Sequence, residues 1–268
     1  MMLLVFLKRA DSRASELESI IKSNEESEIE ALIPVPIKKS PKKLSETVKG
    51  VIGIIIDDFG YRNDEISDGF LQLNAKMTYA IIPGHTYSSL FGKKAIEAGY
   101  EIIVHMPLEN TGKTFGEEDF VLLTSMEDGI IQNRVKKALD QIPTAIGMNN
   151  HQGSKASADI KVITNIAKII KNRNLFFIDS RTTTETIIES TMNFMGVPTA
   201  RRNVFLDNDD DEEKIKAQLM ELAQKASELG HAIGIGHVKA KTLYVLKKYI
   251  PELEEKGFRF EFVSKMLY

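Results

Sequence analysis

The chain has 268 residues, 43% hydrophobic and 27% charged, the composition of an ordinary soluble globular protein. Its net charge of −3 offers no basic field for nucleic acid, and the lack of Cys excludes disulfides, thiolate metal sites and cysteine nucleophiles. The length leaves room for one large domain and an extension.

The amino end, Met1 to Leu7, is apolar and is followed by Lys8-Arg9. It is too short to span a bilayer, which needs about 20 residues. A secretory signal carries its positive charge before the apolar core, not after it. The expectation is the tail of a membrane anchor whose start lies outside the chain. Residues 11–49 are rich in Ser, Glu and Lys and hold Pro34, Pro36 and Pro41, so residues 1–49 are expected to be a tether. The folded domain is expected over 50–268.

Val51-Ile52-Gly53-Ile54-Ile55-Ile56 is a continuous β-branched run that stops on Asp57-Asp58. Such a run reads as a strand buried on both faces. A helix is predicted around 63–73. A second strand, Met77–Ile82, ends at Pro83-Gly84-His85. Ser88–Ala98 reads as a helix stopped by Gly99, and Glu101–Val104 as a third strand ending at His105. A polar loop over 111–124 leads to a helix at Glu127–Gln141. The fourth strand, Ala145–Met148, ends at Asn149-Asn150-His151, and a helix follows at Asp159–Asn172. The fifth, Leu175–Ile178, ends at Asp179, before a helix at Thr184–Met195. A short sixth, Val204–Leu206, ends at Asp207, before a helix at Glu212–Leu229. The seventh, Ala232–Ile235, ends at His237, a helix spans Lys241–Lys256, and the last strand is Phe258–Val263. Alternating strands and helices mean parallel pairing, and about eight units imply an α/β fold of the distorted (β/α) barrel type. An open doubly wound sheet is the alternative. No Gly-rich phosphate loop is present; Gly234 and Gly236 lie inside a strand.

Asp57, Asp58, His85, His105, His151, Asp179, Asp207 and His237 all follow apolar runs, so all are expected at the carboxyl rim where such folds bind ligands. A lone Asp pair only marks a turn, and a lone His is more often structural; four His on one rim with paired Asp point to chemistry. The fifth, His231, follows a helix stop and reads as structural. Imidazole plus carboxylate without thiolate suits zinc or another divalent ion. The paired carboxylates supply one group for the metal and one for a base, and a His can protonate a leaving group. The pattern points to metal-assisted hydrolysis.

Several segments carry a family resemblance. They are Ile56-Asp57-Asp58-Phe59-Gly60, His105-Met106-Pro107-Leu108-Glu109, Asn149-Asn150-His151-Gln152-Gly153-Ser154, Asp179-Ser180-Arg181-Thr182, Arg202 through Asn208, and Gly236-His237. Together they resemble the divergent polysaccharide deacetylases, a branch of the NodB-type carbohydrate esterases, over about residues 50–264. The resemblance implies a distorted (β/α) barrel, a divalent metal that is usually zinc, a glycan substrate from which acetyl is removed, and an extracytoplasmic location. It makes Asp57 the general base, Asp58 a metal ligand, His105 the first His of a His-x-x-x-His motif, and His237 the general acid, expected across the site from Asp57. The second His of that motif is Glu109 here, and the Arg-Pro-Pro-Tyr loop of better-studied relatives is Asn-Asn-His-Gln-Gly-Ser. His151 is therefore the expected third ligand, with Glu109 in reserve. Arg181 or Arg202 is expected to replace the missing Arg. His85, Asn150, Asp179 and Asp207 are candidates to support the site or touch substrate. The other reading is a non-catalytic barrel that binds metal or glycan in the cell envelope.

Overall fold

The computed structural model describes residues 48–113 and 117–268. The expected tether lies outside the described residues except for Val48 and Lys49, both exposed.

The elements run in the order β1 (Gly50–Phe59), α1 (Glu65–Phe70), β2 (Thr78–Ile81), α2 (Ser88–Glu97), β3 (Glu101–Leu108), α3 (Asp128–Gln141), β4 (Gly147–Gln152) and α4 (Ile160–Asn172). There follow β5 (Phe176–Asp179), α5 (Ile188–Met195), β6 (Thr199–Arg201), β7 (Val204–Phe205), α6 (Glu212–Leu229), β8 (His231–His237), α7 (Ala240–Glu255) and β9 (Phe258–Phe260). The helices are amphipathic: α4 buries Val162, Ile163, Ile166, Ala167, Ile169 and Ile170, the spacing of one helical stripe. Asp64, Asp159 and Asp211 cap the amino ends of α1, α4 and α6 with their side chains.

Every strand pair is parallel, in the order β6-β5-β4-β3-β2-β1-β8-β7, with β9 beside the amino half of β1. The outermost strands β6 and β7 are joined by Arg202 and Asn203 alone. Such a link spans on the order of 10 Å, so the sheet must curl until its edges almost meet: a distorted, incompletely closed (β/α) barrel, as expected. The linking residues bond to opposite sides of the seam. Arg202 N donates to Asp179 O at 3.0 Å, and Asn203 N donates to Ile233 O at 2.8 Å.

Side chains alternate across each strand. Ile52, Ile54 and Ile56 pack outward with the helices, while Ile55, Ala80, Ile103, Ile178, Ile233 and Ile235 form an inner cluster with Val263 and Met266. The carboxyl tail thus plugs the interior. A Cβ on Gly53 would stand 2.7 Å from Met266 Sδ and 3.1 Å from Val263 Cγ1, so a larger residue there would push on the plug.

The structure departs from the sequence expectations in detail. There are nine strands among the described residues, because Thr199–Arg201 is a strand with no apolar run to announce it. Its edge is held by Tyr268, which exchanges backbone bonds with Thr199. The last strand stops at Phe260, and a 3-10 turn at Val263–Lys265 begins the plug. No helix among the described residues is long and apolar enough to cross a membrane.

Candidate metal centre and acid-base site

Neighbouring residues on a regular strand face opposite ways, yet both Asp57 and Asp58 reach the rim. The pairing of β1 with β2 runs Ile56↔Tyr79, then Phe59↔Ile81, so β1 carries one extra residue there. Asp58 takes φ 70°. This bulge keeps Asp57 on the inner side of Ile55 and swings Asp58 toward the same pocket.

The next two strands bring up the imidazoles. His105 and Asn149 are register partners on β3 and β4, and His151 lies two residues further along β4. His105 Nε2 stands 3.4 Å from Asp58 Oδ1 and 3.5 Å from Asp57 Oδ2. His151 Nδ1 lies 3.2 Å from Asp58 Oδ1 and 3.1 Å from His105 Nε2. Asn149 ties the pieces together: its Oδ1 is 2.7 Å from His105 Nδ1, and its Nδ2 donates to Asp57 Oδ1 at 2.8 Å. With Asn149 Oδ1 as acceptor, His105 carries its proton on Nδ1 and turns the Nε2 lone pair to the pocket.

His237 ends β8, and its Cα partner is Asp57. It therefore stands beside Asp57, not across the site, because β8 and β1 are neighbours in the sheet. Asp207 orients it, with Oδ1 2.8 Å from His237 Nδ1 and Oδ2 accepting His237 N at 2.7 Å. Thr242 Oγ1 also donates to Asp207 Oδ2, at 2.6 Å. His237 Nε2 is thereby left toward the pocket, 4.0 Å from Asp58 Oδ2. A cleft of about 390 Å³ opens over Asp57, His105, His151 and His237.

The electrostatics call for positive charge. Burial pushes the Asp57 carboxyl up from its ordinary value, against the lowering charges of His105 and His237. Burial opposes ionisation of Asp58 too, but the imidazoles of His105 and His151 beside it and the charges of His105 and His237 hold it far below the usual carboxylate range. For His105, burial favours the neutral form, yet Asp57 and Asp58 raise it overall. Burial likewise lowers His237, and the Asp207 bond with the charges of Asp58, Asp207 and Asp57 outweighs it.

One carboxylate oxygen of Asp58 and one ring nitrogen each from His105 and His151 lie within 4.8 Å of one another. Asp58 Oδ1 is buried and has no hydrogen-bond donor. A buried acceptor left open beside two imidazole nitrogens is what a divalent cation would complete, and the nitrogen and oxygen donor set suits zinc. These residues fit the metal that the sequence implies.

The remaining candidates have other partners. Glu109 is engaged by Lys155 Nζ at 2.8 Å and by Thr124 N and Oγ1 at 2.6 and 2.7 Å, and so belongs to a loop anchor. Asn150 holds the next strand end by accepting Ser180 N at 2.9 Å. Asp179 accepts Arg181 N at 2.8 Å and Thr186 Oγ1 at 2.9 Å. The donor on Asp57 is Asn149; Arg202 donates instead to the carbonyls of Ser180 and Arg181. His85 Nε2 is 3.0 Å from Glu117 Oε1, and Glu117 Oε2 is 3.9 Å from His151 Nε2. Asn149, which holds His105, and Glu117, which holds His85, are not marked as site residues by the sequence; the group nearest His151 Nε2 is Gln152 Nε2, at 3.0 Å. Asn149 had a signal, since it is two residues before His151 on the same strand face. Glu117 lies in a polar loop with nothing to mark it.

The fold and site define an α/β barrel with a metal-ready rim. A model of the family "divergent polysaccharide deacetylase" matches residues 54–267, and the chain belongs to that family. It is 29% identical over 209 residues to the uncharacterized protein YibQ of Escherichia coli K12, covering 78% of this chain and 65% of that one. It is 32% identical over 204 residues to an uncharacterized Haemophilus influenzae protein, covering 76% and 72%. The chain therefore spans just under two thirds of the E. coli relative. Among solved structures, the uncharacterized protein ATU2773 of Agrobacterium tumefaciens C58 superposes with a TM-score of 0.78 at 21% identity, covering 83% of this chain and 91% of that one. A family 4 carbohydrate esterase from Streptomyces lividans, in complex with acetate, gives 0.51 at 13% identity, covering 82% and 96%. A CE4 family pseudoenzyme from Bacillus anthracis gives 0.52 at 13%, covering 81% and 64%. At these identities the structures share the fold alone.

Proposed function

We propose that the chain is a zinc-dependent hydrolase that removes acyl groups, acetyl foremost, from a glycan of the cell envelope, and works outside the cytoplasm. Asp58, His105 and His151 would hold the ion. When bound there, a divalent metal supplies Lewis acidity and lowers the pKa of a water toward about 7. Asp57 then takes a proton from the attacking water. Its Oδ1 is occupied by Asn149, so Oδ2 is the accepting atom. Burial raises this carboxyl, which makes it a better base than a free Asp. As the water oxygen bonds to the acyl carbon, the bond from that carbon to the sugar nitrogen or oxygen breaks. His237 donates the Nε2 proton to the departing atom, and Asp207 on Nδ1 steadies the imidazolium. The Asn149 bridge fixes base and ligand relative to each other.

The observation that carries the reading is the meeting in one cleft of a buried base, a three-residue ion site and a carboxylate-backed imidazole. A pure binding barrel has no use for an acid and a base beside its ion. The test is metal analysis of the purified chain with acetate release from a panel of acetylated oligosaccharides. The expected outcome is about one zinc per chain and release that stops on chelation. Retained metal with no acetate from any substrate would assign the chain to the non-catalytic metal- or glycan-binding reading instead.

A further inference from the structure

We propose that the glycan carries an oxyanion, a sugar carboxylate or phosphate close to the acylated position, and that Ser180, Arg181 and Arg202 receive it. This rests on the deacylase reading above. The cleft has two unlike walls. Strands β1, β3, β4 and β8 line it with carboxylates and imidazoles, while the stretch from the end of β5 to β7 lines it with Ser180, Arg181, Thr182, Arg202 and Phe205.

Ser180 is only 6% exposed, and its hydroxyl is buried with no hydrogen-bond partner. Buried hydroxyls without partners are rare and costly, and one that lines a cleft is a donor waiting for an acceptor. Beside it, Arg202 is locked in place. Its Nε donates to Ser180 O at 2.7 Å, Nη2 donates to Arg181 O at 3.0 Å, and the guanidinium lies 4.8 Å from the centre of the Phe205 ring. A guanidinium has about five donors, and the remainder of these are unspent. Arg181 stands next to it in a left-handed backbone, φ 51°, which few non-glycine residues adopt. No carboxylate forms an ion pair with either guanidinium among the described residues. The Asp179 oxygens accept Arg181 N and Thr186 Oγ1.

Two like charges held side by side, one of them partly desolvated, are mutually unfavourable. Burial and the charge of Arg181 lower Arg202 from its ordinary value, and the charges of Asp179 and Asp57 offset this only in part. A bound oxyanion relieves that repulsion, takes charge-assisted bonds from both guanidiniums and satisfies Ser180 Oγ. A neutral glycan leaves Ser180 Oγ and the remaining guanidinium N–H groups without a charged acceptor, and this would make the anion a requirement for tight binding.

The test is calorimetric titration of the zinc-loaded chain with two matched pairs, recording acetate release from the same samples. One pair is an O-acetylated oligouronate and its neutral methyl ester; the other is N-acetylglucosamine 6-phosphate and N-acetylglucosamine. In at least one pair the anion should bind about tenfold or more tighter than its neutral twin. The pair that shows the preference assigns the group as carboxylate or phosphate. Ser180→Ala and Arg181→Asn should each reduce the preference, weakening the anion more than its neutral twin. Asn tolerates the left-handed backbone, and Ser180→Ala should keep or raise Tm, since the hydroxyl makes no bond. Equal binding of the twins, or binding of neither, overturns the inference even if acetate is released. A clear anion preference without acetate release keeps the inference and removes the deacylase reading.

Discussion

The two ends of the sheet each bury a carboxylate oxygen, and they treat it differently. At the amino end, Glu101 Oε1 accepts from Thr78 Oγ1 at 2.8 Å and from Ser264 N at 3.3 Å, both supplied by the structure around it. At the carboxyl end, Asp58 Oδ1 faces two imidazole nitrogens and has no donor. Glu101 is thus a fastener for the carboxyl tail, which closes the floor of the barrel. Asp58 is an open valence. Burial of a carboxyl does not by itself distinguish structure from chemistry; the state of its acceptor oxygens does.

The sharpest break of the comparison is loss of the ion. Asp58→Ala, His105→Ala and His151→Ala should each remove most bound zinc and, with it, measurable acetate release, whereas Glu109→Ala should keep both. Metal analysis and turnover on the four variants check this. Zinc retained by His151→Ala but lost from Glu109→Ala would exchange the two assignments.

The next effect separates chemistry from binding. Asp57→Asn and His237→Ala should keep zinc and lose about 10²–10⁴-fold in rate, the usual contribution of a general base or acid. If either keeps full turnover per folded molecule, that residue leaves the mechanism.

Much of this was legible in the chain itself, and the reasons are physical. A strand buried on both faces must be a continuous apolar run, so β1 announces itself, and the residue that ends such a run must lie on the rim. That logic finds Asp57, His105, Asp179 and His237. It fails for β6, where Thr199-Ala200-Arg201 is a strand only because β5 and the terminal Tyr268 pair with it. It also gives no hint that Asp57 and Asp58 can face one pocket, because a bulge is a property of register between two strands, not of either sequence. Asn149, Glu117 and Ser180 stayed hidden for a related reason. Their significance lies in which partners they have or lack, and partners come from the fold.

A smaller effect is expected at Asp207. Asn there keeps an acceptor for His237 but removes the charge, and Asp207 is one of the groups that raise His237 above its ordinary value. The folded pKa of His237 should therefore fall. A general acid works while protonated, so the alkaline limb of the rate profile should move to lower pH, with about a tenfold loss of rate at its original optimum. An unchanged limb would show that another group sets it.

The smallest effect should come from the other end of the sheet. Burial raises Glu101 above its ordinary 4.5, against the lowering bonds from Ser264 and Thr78. Between that value and the folded one, the native chain holds a proton that the unfolded chain has lost. Stability contributed by this group is then greatest at low pH and declines as pH rises through the window, levelling above it. Glu101→Gln keeps an oxygen for Thr78 and Ser264 while removing the charge whose burial is unfavourable. The variant should match or exceed the parent at pH 7, with Tm within about 2–4 °C, unchanged zinc content and unchanged turnover. It should also show less dependence of Tm on pH across that window. Thermal melts of both proteins from about pH 4 to about pH 8, upward from the ordinary carboxylate range, decide the point. A loss well beyond that range at pH 7 would mean the ionised carboxylate is being used, with Lys265, whose charge also acts on Glu101, as the group to examine. The amino end would then share with the rim a dependence on charge, and the contrast between a closed and an open carboxylate would fail.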